Sequence, residues 1–135
     1  MLRKIIVVIL IIGLIGGAYG LYLFNKETPS LHDVEHDFKI HAVDLFSDFD
    51  NDESVANQKF NGKVLLLSGT VVDINTKDQG SYITLEAGSD FGAVSCKLDS
   101  TVSVAKVVPG EEVELKCQCT GYLMDVMLNR CIIVK

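Results

Sequence analysis

A stretch of twenty residues without a charged side chain, residues 5–24, limits most strongly what this chain can form. A helix of that length spans roughly 30 Å, the thickness of the hydrocarbon core of a bilayer. A helix also satisfies its own backbone hydrogen bonds in lipid, so the many β-branched residues do not count against it. We therefore predict an N-terminal anchor at residues 1–24 that contacts the lipid bilayer through residues 5–24.

The residues that flank this stretch predict its orientation. Arg3 and Lys4 precede it, and basic residues tend to stay on the cytoplasmic side. The rest of the chain is then extracytoplasmic, after a single membrane pass. The alternative is a cleaved signal peptide, with the small residues Gly16 and Ala18 at its cleavage site. The apolar run continues for six residues beyond Ala18, which favours an uncleaved anchor.

The charge of the chain argues against one class of ligand. The sequence has 12 basic and 18 acidic residues, a net charge of −6. Arg3 and Lys4 belong to the anchor, so the remainder carries 10 − 18 = −8. Binding to nucleic-acid phosphates depends on clustered lysine and arginine, and this balance therefore disfavours nucleic acid as a partner.

Two regions lie between the anchor and the strands. Residues 25–39 are predicted to be a linker and an acidic segment. Residues 40–60 are predicted to be helical, because apolar residues recur there at intervals of three and four. Residues 50–52 interrupt this pattern, and Asn51 or Asp52 can cap a second short helix that carries Val55, Ala56 and Phe60.

From residue 63 onward the spacing of apolar residues indicates strands. Five are predicted, at residues 64–74, 81–85, 93–98, 112–119 and 126–134. The first is long and contains Gly69, which indicates a bulge or bend. We expect a mainly β protein whose residues 63–135 form a five-stranded Greek-key barrel, the OB-fold, with an N-terminal helical extension and a single transmembrane helix. An open β-sandwich is the alternative.

Several stretches of the chain resemble a known family. They are residues 42–46, 56–64, 68–71, 94–96 and 119–131. They resemble the tRNA_anti-like family of uncharacterised bacterial OB-fold proteins, which often carry a membrane anchor or a lipoprotein signal. The most specific part begins with Cys-Thr-Gly at Cys119 and ends with Asn-Arg-Cys at Cys131. The resemblance implies an OB barrel and supports an anchor in the bacterial cytoplasmic membrane, but it offers no catalytic residues.

Four cysteines lie in the predicted strands, and an extracytoplasmic location favours disulfides. A bond between Cys117 and Cys119 is unattractive, because neighbours on one face of a strand are poorly placed for it. Cys131 could meet Cys119 or Cys96. The family-like spacing favours Cys119–Cys131, whereas a tight hairpin would place Cys119 opposite Val126. Alternatively, all four are small buried apolar residues.

A metal site has weak support in the sequence. His32 and His36 would share one face of a helix and could bind a metal ion, which gives a metal-dependent switch as one alternative function. An acidic, solvated helix start is the simpler interpretation. We predict no metal, no cofactor and no catalytic residues.

Two groups of residues are candidates for ligand binding. An OB barrel binds ligands on its second and third strands and the loops beside them, where this chain has Tyr82 and Lys97, with Phe91 in a nearby turn. These offer few stacking and basic groups, so oligonucleotide binding remains an alternative.

The second group is the apolar loop with Tyr122, Leu123 and Met124. It could contact an unknown envelope protein or a small ligand, or Leu123 and Met124 could instead pack against the barrel end or the helices. The sequence as a whole predicts a non-catalytic binding or scaffolding module of the cell envelope.

Overall fold

The structure is a computed structural model that describes residues 1–26 and 30–135; residues 27–29 of the predicted linker lie outside the described residues. Its first element is helix α1 (Leu2–Asn25), of 24 residues, none of them buried. With a mean hydropathy of 2.5 it is long and apolar enough to cross a membrane.

The other elements follow in a fixed order along the chain. They are strand β1 (Phe38–His41), helices α2 (Ala42–Asn51) and α3 (Glu53–Phe60), and strands β2 (Val64–Lys77), β3 (Gly80–Leu85), β4 (Val94–Leu98), β5 (Glu112–Leu123) and β6 (Asp125–Ile133).

Strands β2 to β6 close into a barrel. Their order is β2-β3-β4-β6-β5, and β5 pairs again with β2. The pairing of β4 with β6 is parallel, whereas β2–β3, β3–β4, β5–β6 and β2–β5 are antiparallel. A closed five-stranded barrel with one long first strand is the arrangement of an OB-fold. The predicted fold class is therefore confirmed.

The two helices pack on the barrel as their apolar pattern predicts. Helix α2 buries Leu45, Phe46 and Phe49, and it ends where Asp52 caps α3 by accepting a hydrogen bond from the Val55 N–H at 3.1 Å. Val55 itself is 59% exposed, so it does not join the core.

Gly69 in β2 allows α2 to approach the barrel. A Cβ atom on Gly69 would lie 2.9 Å from the Cβ of Ala42, the first residue of the helix, and 3.3 Å from a Leu85 methyl carbon. The glycine that was expected to mark a bulge or bend is thus needed for close packing. The register shift of the β2–β3 pairing lies farther along, between Val71 and Asp73.

Strand β1 is a sixth strand that the sequence did not predict. It runs parallel to the first half of β2, and Phe38 is aligned with Leu65. The strand has only four residues, which is too short for a period-2 pattern to stand out.

The described part of the segment before β1 is attached to the barrel. Leu31 is 3% exposed and packs against Val64 and Ile132. In addition, the Lys116 ammonium donates a hydrogen bond to the Val34 carbonyl oxygen at 2.9 Å.

The disulfide differs from the expected pairing: the structure joins Cys117 to Cys131, and leaves Cys96 and Cys119 as buried free thiols. The pairing Cys119–Cys131 is therefore wrong, and Cys96 does not bond to Cys131 either.

The register of the β5–β6 hairpin explains this pairing. Lys116 is paired with Ile132, but Gln118 is paired with Asn129, so Arg130 and Cys131 together oppose Cys117. Two residues opposite one form a β-bulge, and Arg130 takes a left-handed φ of 55° there. The hairpin reverses at Met124, so Tyr122 is the residue opposite Val126, and a second register shift between Cys119 and Gly121 places Cys119 opposite Leu128.

Candidate ligand-binding face of the barrel

The outer surface of β3, β4 and β6 is formed by alternate residues of these strands. Ile83, Cys96 and Leu128 point into the core and are at most 2% exposed. Their neighbours along each strand therefore point outward. The outward residues are Tyr82 and Thr84 on β3, Ser95 and Lys97 on β4, and Met127 and Asn129 on β6.

Tyr82 and Lys97 meet on this outer surface, where the alternation of their strands predicted them to lie. They are cross-strand partners, and the Lys97 ammonium lies 5.9 Å from the centroid of the Tyr82 ring. This distance is within the range of a cation–π contact. The aromatic ring of Tyr82 and the ammonium group of Lys97 thus lie next to each other on the outer surface of the barrel.

A shallow cleft of about 220 Å³ lies beside this pair. It is lined by Tyr82, Ser95, Lys97, Thr120, Met127, Leu128 and Asn129. Of the described residues that line it, Lys97 alone carries a charge. The cleft is therefore locally cationic, although the chain as a whole is acidic.

A second groove, of about 440 Å³, continues from the first cleft across Thr120 and Met127. It is lined by Asn57, Asn61, Thr120, Gly121, Tyr122, Leu123 and Met127. The sequence did not identify Asn57, Asn61, Thr120, Met127 or Asn129 as site residues. The alternation of β6 could have indicated Met127 and Asn129, whereas Asn57 of α3 and Asn61 after it reach the site only through tertiary packing.

Tyr122 connects this groove to the helices. Its ring stacks on Phe49 with 5.6 Å between centroids and an interplanar angle of 19°, and its centroid lies 6.0 Å from that of Phe46. Desolvation raises the pKa of the Tyr122 hydroxyl, and the nearby carboxylates of Asp50, Glu53 and Asp125 raise it further. The groove is therefore acidic at this end.

The apolar residues beyond Tyr122 are exposed. Leu123 and Met124 are 79% and 75% exposed, and Phe91 is 88% exposed. The alternative that Leu123 and Met124 pack against the barrel end or the helices is thus not what the structure shows; Tyr122 makes the helix contact instead. The predicted loop of residues 120–125 is mostly strand, because β5 and β6 reverse at Met124 alone, which has a φ of 66°.

Phe91 lies at the same end of the barrel as Met124. A Cβ atom on Gly92 would lie 2.6 Å from the Met124 carbonyl oxygen, so the two backbones are in close contact there. The Ala93 N–H donates a hydrogen bond to Asp125 Oδ1 at 2.9 Å, and the Val126 N–H donates to the Ala93 carbonyl oxygen at 3.0 Å. We call Phe91, Leu123 and Met124 the apolar tip.

The histidines lie away from these clefts. His32 and His36 are exposed and fall in turns and irregular backbone, so the prediction that they share a helical face is wrong. The reason is that Leu31 and Asp37 attach this segment to the barrel, where Asp37 accepts a hydrogen bond from the Val64 N–H at 3.0 Å. His41 Nδ1 accepts a hydrogen bond from the Val43 N–H at 3.4 Å, at the start of α2.

Comparison with known proteins identifies the family. A family model described as tRNA_anti-like matches residues 1–133. The chain belongs to the tRNA_anti-like family. The resemblance noted in the sequence is therefore confirmed. Among curated proteins, none matches the sequence of this tRNA_anti-like protein.

The chain is also similar to solved structures, of which the first described below supports the barrel fold. A lipoprotein from Klebsiella pneumoniae, provisionally described as nucleic acid-binding, superimposes with a TM-score of 0.61 at 18% identity, over 72% of this tRNA_anti-like chain and 91% of that chain. An aspartyl-tRNA synthetase assigned in Leishmania major gives 0.49 at 13% identity, over 80% of this chain and 23% of that one. The Stn1–Ten1 complex of S. pombe gives 0.43 at 13%, over 82% and 80%. At these identities the similarity concerns the fold.

Proposed function

We propose that this tRNA_anti-like protein is a non-catalytic binding module, tethered to the bacterial cytoplasmic membrane by α1, with its barrel outside the cytoplasm. The length and hydropathy of α1 support the tether, and Arg3 and Lys4 before it support the orientation. The disulfide Cys117–Cys131 suits an oxidising compartment. The K. pneumoniae neighbour, a lipoprotein, is consistent with a place in the cell envelope.

The ligand surface in this proposal is the cleft beside Tyr82 and Lys97. The single observation that carries it is the pairing of an outward aromatic ring with an ammonium group 5.9 Å from its centroid, in a cleft whose described lining has no carboxylate. Such a surface attracts an anionic ligand that also has a planar or apolar part. The side chains of Ser95, Thr120 and Asn129 add groups that can hydrogen-bond to it.

A single-stranded oligonucleotide is the second candidate ligand. The same Tyr82–Lys97 pair favours it, because a base can stack on the ring while a phosphate meets the ammonium group. The charge of −8 beyond the anchor opposes it, because long-range repulsion weakens the approach of a polyanion. For this reason the general anionic ligand is the preferred function.

Cross-linking in the native envelope tests this proposal. We expect p-benzoylphenylalanine at Tyr82 to give a light-dependent adduct, and the same group at Val72, an exposed residue on β2, to give none. When Lys97→Glu is combined with p-benzoylphenylalanine at position 82, the yield of the adduct should fall about tenfold or more. That change corresponds to about 1.4 kcal/mol in binding. Lys106→Glu, an exposed lysine between β4 and β5, is the matched control and should leave the yield unchanged.

The fate of the adduct separates the two candidates. An adduct that nuclease digests identifies an oligonucleotide, whereas one that survives nuclease supports the preferred function. Equal yields at Tyr82 and Val72, or a yield that Lys97→Glu does not change, would contradict the assignment of this cleft.

A further inference from the structure

We propose that the groove beside Tyr122, together with the apolar tip, docks a cationic protein segment that carries aliphatic or aromatic side chains among lysines or arginines. This surface adjoins the Tyr82–Lys97 cleft but has the opposite charge, and the inference goes beyond the function proposed above. It is carried by three features of the same end of the barrel: exposed apolar side chains, an excess of carboxylates over cations, and amide groups that line a groove.

The apolar component is large for a surface loop. Phe91, Leu123 and Met124 are each at least 75% exposed and are brought together by the contact between the Gly92 and Met124 backbones. Exposed apolar clusters of this kind mark interaction sites in soluble domains. The left-handed φ of Met124, 66°, is uncommon for a residue with a side chain, and the one-residue reversal presents both Leu123 and Met124 to solvent.

Carboxylates dominate the charge around the tip. With Lys59 as their one lysine and no arginine, residues 48–61, 89–93 and 121–129 at this end contain six carboxylates. They are Asp48, Asp50, Asp52, Glu53, Asp90 and Asp125. Asp48 is paired with Lys59 at 3.7 Å, and Asp125 holds the Ala93 N–H. Asp50, Glu53 and Asp125 all lie close enough to Tyr122 to affect its hydroxyl.

The groove also contains side-chain amides that can hydrogen-bond to a peptide backbone. Asn57 on α3 and Asn61, which follows the helix, face Tyr122 and Leu123 across a space of about 440 Å³. Side-chain amides both donate and accept hydrogen bonds, so they can pair with the N–H and C=O groups of a bound segment. Tyr122, Leu123 and Met127 provide apolar contacts for its side chains.

The charge also decides between possible occupants. A bilayer surface rich in anionic lipids would be repelled by these carboxylates, and so would the same acidic end of a second copy of this chain. A cationic segment is attracted to them, and its apolar side chains can cover the tip. A basic protein partner is therefore the occupant that the surface fits.

Peptide binding to the full chain in neutral-lipid nanodiscs tests this inference. The probe is a fluorescein-labelled peptide, Lys-Phe-Lys-Leu-Lys, and its charge-reversed form, Glu-Phe-Glu-Leu-Glu, is the comparison; binding to empty nanodiscs is subtracted. We expect the cationic peptide to bind at least about tenfold more tightly than the anionic one. The double variant Leu123→Ser, Met124→Ser should weaken the cationic peptide about tenfold or more, because it removes the apolar contacts.

Val72→Ser is the matched control, since Val72 is an exposed apolar residue of β2, and we expect it to leave the affinity unchanged. The tip residues are exposed, so the urea midpoint of the double variant should equal that of the wild type. Cross-linking at Tyr82 should persist in the double variant, which keeps this test separate from that of the Lys97 cleft.

Three results would overturn the inference. The first is equal binding of both peptides, or no binding of either. The second is binding of the cationic peptide that the double variant leaves unchanged. The third is that the double variant instead abolishes self-association in sedimentation, or the association of the barrel with phosphatidylglycerol vesicles, which would assign the tip to a second copy or to lipid.

Discussion

Replacing Phe60 with alanine lowers the free energy of unfolding of the barrel by about 3–5 kcal/mol, the usual cost of removing a buried aromatic ring. Phe60 is 1% exposed and ends α3. Its ring contacts Phe38 of β1 edge-on, with 5.4 Å between centroids, and Phe49 of α2 at 6.0 Å. The ring therefore connects three elements to one another, and its loss leaves a cavity that none of them can fill alone.

Urea unfolding of the full chain in mild detergent measures this effect, with the near-ultraviolet circular dichroism of the tyrosines as the signal. Phe91→Ala makes the same change of side chain at a residue that is 88% exposed. We expect that control to stay within about 0.5 kcal/mol of the wild type. Similar losses for Phe60→Ala and Phe91→Ala would show that α3 does not pack against the barrel as described.

Removing the disulfide has the second large effect. Cys117 and Cys131 are 14 residues apart, and closing a loop of that length stabilises a fold by about 3 kcal/mol, mainly by restricting the unfolded chain. We expect a reductant to lower the free energy of unfolding of the wild type by about that amount. Cys117→Ala should have a similar effect and should make the protein insensitive to reductant.

The matched variant is Cys119→Ala, which changes the other buried cysteine of β5. It should cost about 1 kcal/mol through lost packing, and it should remain fully sensitive to reductant. This pair of variants separates the observed pairing from the one that the sequence favoured. If Cys119→Ala lost the sensitivity to reductant and Cys117→Ala kept it, Cys119 rather than Cys117 would be the bonded cysteine of β5.

The observed disulfide differs from the one that the sequence favoured, and this difference shows what a sequence pattern can determine. Alternation correctly placed Cys96, Cys117 and Cys119 on inward-facing positions, and all three are buried. It could not show which of them faces Cys131, because the bulge at Arg130 inserts an extra residue between Leu128 and Cys131 and so shifts both the alternation of β6 and its register with β5. Register depends on where an extra residue is inserted, and that depends on the whole barrel.

Part of the candidate site could likewise be predicted from the sequence, and part could not. Tyr82 and Lys97 could be placed on one surface from strand alternation and the expected barrel, since both depend on local spacing. The groove beside Tyr122 could not be foreseen, because Asn57 and Asn61 reach it only when α3 packs near the β5–β6 hairpin. The exposure of Leu123 and Met124 was also undetermined by sequence, because it depends on Tyr122 being the residue of this hairpin that packs against Phe46 and Phe49 of α2.

The free thiols of the barrel offer a clean background for a test of topology. Cys96 and Cys119 are buried, and burial raises the pKa of both thiols, so neither is expected to react with a maleimide in the folded protein. Cys117 and Cys131 are bonded to each other. The wild-type chain should therefore stay unlabelled.

A single introduced cysteine then reports the side of the membrane on which the barrel lies. Asp78→Cys places a thiol at an exposed position in the turn between β2 and β3, and Leu2→Cys places one at the start of α1. With a membrane-impermeant maleimide applied to spheroplasts, we expect Asp78→Cys to be labelled at once and Leu2→Cys only after lysis. Labelling of Leu2→Cys in intact spheroplasts, with Asp78→Cys protected until lysis, would contradict an extracytoplasmic barrel.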